Sequence, residues 1–152
     1  MPEKESKRWK RGRGKLGLLD PLLGVWSATA DSPMGPVACR RSFARAIGGA
    51  WIVLDAEWDF SGKRYLEHAI YGVGESGALT FWSFTSDGKR SVGRLADGQD
   101  VHPSAIAFEA EMPAGLARMV YWPADDDGLR WAVESRTQKG WRRFTEHHYR
   151  RA

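Results

Sequence analysis

The 152-residue chain carries 23 Lys/Arg, 19 Asp/Glu and one cysteine, with 42% hydrophobic and 28% charged residues. That length suits one globular domain, the balance excludes a fully disordered or fibrous chain, and a lone Cys39 excludes an intramolecular disulfide or a thiolate metal cluster. The net charge of +4 hides a tail: residues 1–15 hold seven Lys/Arg against two Glu, a net +5, leaving 16 against 17, a net −1, for the rest.

Residues 1–15, MPEKESKRWKRGRGK, have Trp9 as their one large apolar residue after Met1 and are expected to form a disordered basic tail. Such a tail suits a nucleic acid or another anionic partner, because each Lys or Arg in 4–15 can neutralise a phosphate. No apolar segment with a cleavage site follows the basic start, and no apolar run approaches the ~20 residues of a membrane span, so a soluble cytoplasmic location is expected. Residues 16–152 are expected to be one domain. Leu16–Leu23 reads LGLLDPLL, a single helical turn with Asp20 as N-cap and Pro21 at the first helical position.

Beyond Gly24, nine glycine-bearing turns divide the chain: Met34-Gly35-Pro36, Gly48-Gly49, Ser61-Gly62, Glu75-Ser76-Gly77, Asp87-Gly88, Asp97-Gly98, Ala114-Gly115, Asp127-Gly128 and Lys139-Gly140. Tight hairpins need φ > 0 at their central residues, which glycine supplies without strain. The pieces between them are rich in β-branched and aromatic residues and predict strands at 24–31, 38–47, 51–60, 65–73, 78–86, 89–97, 105–112, 116–122, 129–138 and 141–150. Ten strands joined by hairpins make a meander, and a meander that long rolls up to hide its edges. The fold class is therefore all-β: a ten-stranded antiparallel up-and-down barrel with a short N-terminal helical plug.

Alternation assigns faces. Ile52, Leu54, Ala56, Trp58 and Phe60 point inward in the third strand, Ile106, Phe108, Ala110 and Met112 in the seventh, and Leu129, Trp131 and Val133, then Ser135 and Thr137, in the ninth. An apolar stretch running into Ser/Thr suggests a greasy base and a wetter mouth. His68 shares a face with Leu66 and Ile70, which argues for an inward side chain, while the fifth strand has aromatics on both faces and resists assignment. His147 and His148 are neighbours on a strand, point to opposite faces and cannot chelate one metal together.

No catalytic motif is present. Asp125-Asp126-Asp127-Gly128 lacks the spacing and the distant Glu of a calcium loop, and no nucleophile elbow appears, so neither catalytic nor metal-ligating residues are expected. Trp82, Phe84, Tyr121 and Trp122, with Arg118 on the face of Val120 and Trp122, suit a small-molecule pocket. The same aromatics also suit a filled core. Trp51 is a candidate homodimer surface residue.

Gly24-Val25-Trp26 opens the first strand directly after the plug, and Tyr149-Arg150-Arg151 closes the last. That pairing, spanning residues 16–151, resembles the calycin barrels (lipocalins, fatty-acid-binding proteins and nitrobindin-like proteins) and a set of uncharacterised bacterial barrel domains. The resemblance implies an interior cavity for a small molecule, with a basic side chain from the last strand stacked on Trp26. Arg150 or Arg151 supplies it, and the expectation settles on Arg150. A nitrobindin-like member would hold haem through a late-strand histidine, His147 or His148.

The expected function is non-catalytic binding of a small, mostly apolar or aromatic ligand inside the barrel, with His68, Trp82, Arg118, His147 and Tyr149 as contact residues and Trp26 and Arg150 as structural closures. No cofactor is expected on this reading. The alternatives are a haem-binding barrel and an adaptor that uses the basic tail.

Overall fold

The computed structural model describes residues 9–152. A 3-10 turn at Leu16–Leu22 leads into ten strands: β1 Gly24–Ser32, β2 Gly35–Ala46, β3 Trp51–Phe60, β4 Lys63–Val73, β5 Leu79–Thr85, β6 Arg90–Ala96, β7 Ile106–Met112, β8 Gly115–Pro123, β9 Leu129–Thr137 and β10 Gly140–Arg151. Each pairs antiparallel with the next and β10 returns to β1, closing the barrel. The all-β barrel with a short N-terminal plug is the fold the sequence predicts, and all nine glycine signals fall between strands or at their first residue. It is compatible with a calycin-like fold. Among the described residues no helix is long and apolar enough to cross a membrane.

The closing seam is short. β1 meets β10 only through Trp26 opposite Arg151 and Ser27 opposite Arg150, extended by the Ala152 N–H donating to the Val25 carbonyl at 3.0 Å. A β-bulge between Arg143 and Thr145 bends β10 further along.

The plug differs from expectation in detail. Its helical turn begins at Leu16, with Asp20 and Pro21 inside it rather than at its start. The Asp20 carboxylate is not the N-cap of this turn; it accepts from Arg45 at the end of β2, at 2.8 Å. Leu19 and Leu22 have no exposed surface and close one end of the barrel. Beneath them Phe43, Tyr71, Phe81, Phe108 and Tyr121 meet edge-on or tilted at centroid distances of 5.2–6.1 Å. These geometries suit the aromatic quadrupole, and the five rings fill that half of the interior.

The predicted Asp97-Gly98 turn opens a longer connection, residues 97–105, that lies across the outer wall of β7–β9. Gly98 lies close to the wall: a Cβ there would sit 3.0 Å from that of Ala107 on β7. Val101 and Ala105 cover an outer apolar cluster of Ala107, Val120, Trp122 and Ala132. This strap gives the barrel a second small core outside its wall.

The N-terminal arm touches the same strap. Trp9 packs against the plug-end core and its indole N–H donates to the Ser104 carbonyl at 3.1 Å, while Lys15 donates to the carbonyl of Gly77. Lys4, Lys7 and Arg8 of the basic tail lie outside the described residues.

Candidate functional site

Opposite the plug the barrel is open. A cavity of about 870 Å³ runs in from the hairpins β1–β2, β3–β4 and β5–β6, with Val37, Trp58, Met119, Trp131, Val133 and His147 among its walls. Each of these is the inward member of its strand's alternation. Glu67 and Ser83 add polar atoms to the lining, and the Ser83 hydroxyl donates to Glu67 at 2.5 Å. The barrel is thus half core and half cup.

Arg41 lies where core and cup meet. β2 alternates Val37, Cys39, Arg41 and Phe43 inward, each 3% exposed or less. The guanidinium sits 4.9 Å from the Trp131 ring centre and 5.7 Å from that of Trp58, both cavity walls. Its Nη2 donates to the Tyr121 hydroxyl at 2.6 Å, with Glu67 3.9 Å away. Burial works against its charge, yet Tyr121, Tyr149 and Glu67 outweigh that and push its pKa up. Nε and Nη1 of Arg41 and Nε1 of Trp131 are buried without a hydrogen-bond partner among the described residues. Buried donors in that state cost about 1–3 kcal/mol each, so the site has capacity to accept a polar group.

His147 stands beside this floor, its ring 5.0 Å from Trp131 and its Nδ1 3.3 Å from the Tyr149 hydroxyl. Burial, helped by the Arg41 charge, lowers its pKa below the ordinary histidine value. Tyr149 is fully buried, and burial raises its pKa. Cys39 is also inward, its thiol pushed up to about 11 mainly by burial.

The other contact candidates lie elsewhere. His68 is on the outer wall, 53% exposed and paired with Asp55 at 2.6 Å; it does share a face with Leu66 and Ile70, but the inner face of β4 is Tyr65, Glu67, Ala69 and Tyr71. Leu66 and Ile70 belong to an outer apolar patch, so hydrophobicity did not mark the inside. Trp82 is also outside, 5.9 Å from Trp51, while Leu79, Phe81 and Ser83 fill the inner face of β5.

Arg118 faces outward and is 2% exposed because the strap covers it. It donates to both Asp100 oxygens at 2.7 and 2.8 Å, to Glu134 from Nε and Nη2 and to the Asp97 carbonyl, and it stacks on Trp141. All five N–H groups are engaged, which leaves none for a ligand.

The closure residue is Arg151, not Arg150. The Arg151 guanidinium stacks 4.3 Å from the Trp26 ring centre and donates to the Leu23 carbonyl at 3.4 Å, while the Trp26 indole donates to Leu22 at 2.8 Å. Arg150 is 76% exposed and pairs with Asp126 on the outside. Counting outward from the inward pair His147 and Tyr149 selects Arg151 by alternation.

Arg41 and Glu67 are absent from the sequence-derived candidates. The signal that marks Arg41 in the sequence is its alternation with Val37, Cys39 and Phe43, the buried set of β2. Among the described residues no group of three or more His, Cys, Asp or Glu is placed to hold a metal ion. No known protein-family profile matches the chain, and no curated protein does.

Proposed function

We propose that the protein binds a small molecule in the open half of the barrel: an apolar or aromatic body against Trp58, Met119, Trp131 and Val133, and a hydrogen-bond-accepting group directed at Arg41. No chemical step is assigned to it. The observation that carries this reading is the buried, charged Arg41 with unpartnered Nε and Nη1 beneath a cavity of about 870 Å³. Small-molecule sites combine apolar walls with a few placed polar groups, and this interior has that composition. His147 and Tyr149 remain contact candidates beside the floor; His68, Trp82 and Arg118 do not support the reading, because they lie on the outer wall.

Two probes with one skeleton test it. N-phenyl-1-naphthylamine is neutral, and 8-anilinonaphthalene-1-sulfonate carries an added anion. Both should bind and quench tryptophan fluorescence, the sulfonate at least tenfold more tightly. Arg41→Met should remove the difference while leaving the neutral probe unchanged, and Val133→Trp should block both by filling the cup. If neither probe binds, or Val133→Trp leaves binding intact, the interior is not the site.

The haem alternative rests on His147, since His148 faces outward to Asp126 at 3.0 Å and His68 is also outside. A Soret band on adding haemin that vanishes in His147→Ala would transfer the function to that reading.

A further inference from the structure

The outer wall of β3–β6 is unusually apolar. Val53, Ile70, Trp82 and Val92 stand in one outward row, each opposite the next across the strands. Phe84 is 51% and Val92 54% exposed. Trp51 packs on Gly72, where a Cβ would come within 2.2 Å of its ring, and meets Trp82 at an interplanar angle of 61°, so the two indoles form a shelf rather than isolated projections. Contiguous apolar surface of this kind on a soluble wall marks an interaction site.

The charges around it are polarised. Asp55 flanks the patch on the β3 side, 68% exposed, with His68 its one ion-pair partner among the described residues. Arg90 and Arg94 flank it on the β6 side, exposed and without an ion-pair partner among the described residues. Asp55, His68, Phe84 and Arg90 occupy one cross-strand row; Gly72, Thr80 and Arg94 occupy another, and Trp51 packs on its Gly72.

We propose that this face is a self-complementary contact between two copies of the chain. A two-fold axis along the strands, between β4 and β5 in the plane of contact, lays β3 against β6 and keeps each row facing itself. Asp55 then meets Arg90 of the second copy, Val53 meets Val92, Ile70 meets Trp82, and Trp51 meets the Arg94 guanidinium in a cation–π contact. An acidic partner would satisfy Arg90 and Arg94 but leave Asp55 against like charge; a second copy satisfies both sides. Two convex walls touch along a strip, so the contact belongs to the small, reversible class of interface.

Sedimentation equilibrium of the full chain from about 1 µM to 1 mM tests the pairing, with thermal melts showing that each variant is folded. The wild type should pass reversibly from the chain mass to twice that mass. Asp55→Arg and Val92→Glu should each weaken association at least tenfold without lowering the melting temperature by more than a few degrees. The charge swap Asp55→Arg with Arg90→Asp should restore it, which a merely sticky patch would not do. A wild type that stays monomeric at 1 mM, or a dimer indifferent to all three variants, overturns the proposal.

Discussion

Trp26 illustrates how one side chain couples three elements. Its ring is 1% exposed, its N–H holds the Leu22 carbonyl at the end of the plug, and its face takes the Arg151 guanidinium from the last strand. Removing it deletes a large buried ring and orphans a carbonyl. Trp26→Ala should therefore cost about 3–5 kcal/mol, a fall on the order of 10 °C in melting temperature for a domain of this size. Arg151→Ala should cost about 1 kcal/mol, and Arg150→Ala should leave the melt nearly unchanged; equal effects of the two arginines would contradict the assignment. His147 makes a pH-dependent contribution. Its pKa is lowered in the fold, so below the ordinary value near 6.5 the unfolded chain takes up the proton first. The contribution is whole above about pH 6.5 and is lost as pH falls through the folded pKa. Melting temperature from pH 8 to 5 should drop more steeply for the wild type than for His147→Gln; parallel curves would show that His147 titrates freely.

The strap shows what a single element needs in order to stay down. Residues 97–105 form no strand, and their apolar contribution is Val101 and Ala105. What fixes them is Arg118, whose five donors join Asp97 and Asp100 to the buried Glu134. Truncating one member leaves the other charge uncompensated, which costs more than the pair itself contributes. Arg118→Met should therefore destabilise by about 3 kcal/mol and expose the strap to protease. Replacing Glu134 by Gln in the same background should recover a substantial part. If the double variant is no more stable than the single one, the penalty does not come from the stranded carboxylate. Arg143 still reaches Glu134 at 3.2 Å, so the single variant should remain folded.

At the scale of the molecule, the barrel divides along its axis. The plug end is closed by Leu19, Leu22 and Trp26 and filled by five interlocked rings; the mouth end keeps a cup with the buried Arg41 behind its Trp58 and Trp131 walls. Rigidity at one end supports an arrangement at the other that does not favour folding by itself, since a buried cation with idle donors costs stability. A ligand that completes those donors should therefore stabilise the whole barrel. If the sulfonate probe binds the native cup, at one hundred times its Kd it should add about 2.7 kcal/mol, a rise of roughly 5–10 °C in melting temperature, and Arg41→Met should show a smaller rise.

The amino-acid sequence by itself determined the number of strands, their antiparallel order and the location of the nine glycine turns between them, because glycine placement and period-two alternation are local properties of the backbone. It also determined which residues share a face: Leu66 with His68 and Ile70, or Arg118 with Val120 and Trp122. Only the tertiary structure decided which face is inside on β4 and β5. Alternation gives two equivalent sets per strand, and hydrophobicity breaks the tie only where one set is polar. On β4 and β5 the outer set is as apolar as the inner, so His68 and Trp82 went to the wrong side, and on β8 the strap buries Arg118 from outside. Closure of the sheet placed Arg41 under the cup and matched Arg151, rather than Arg150, to Trp26, because both depend on registers between strands distant in the chain.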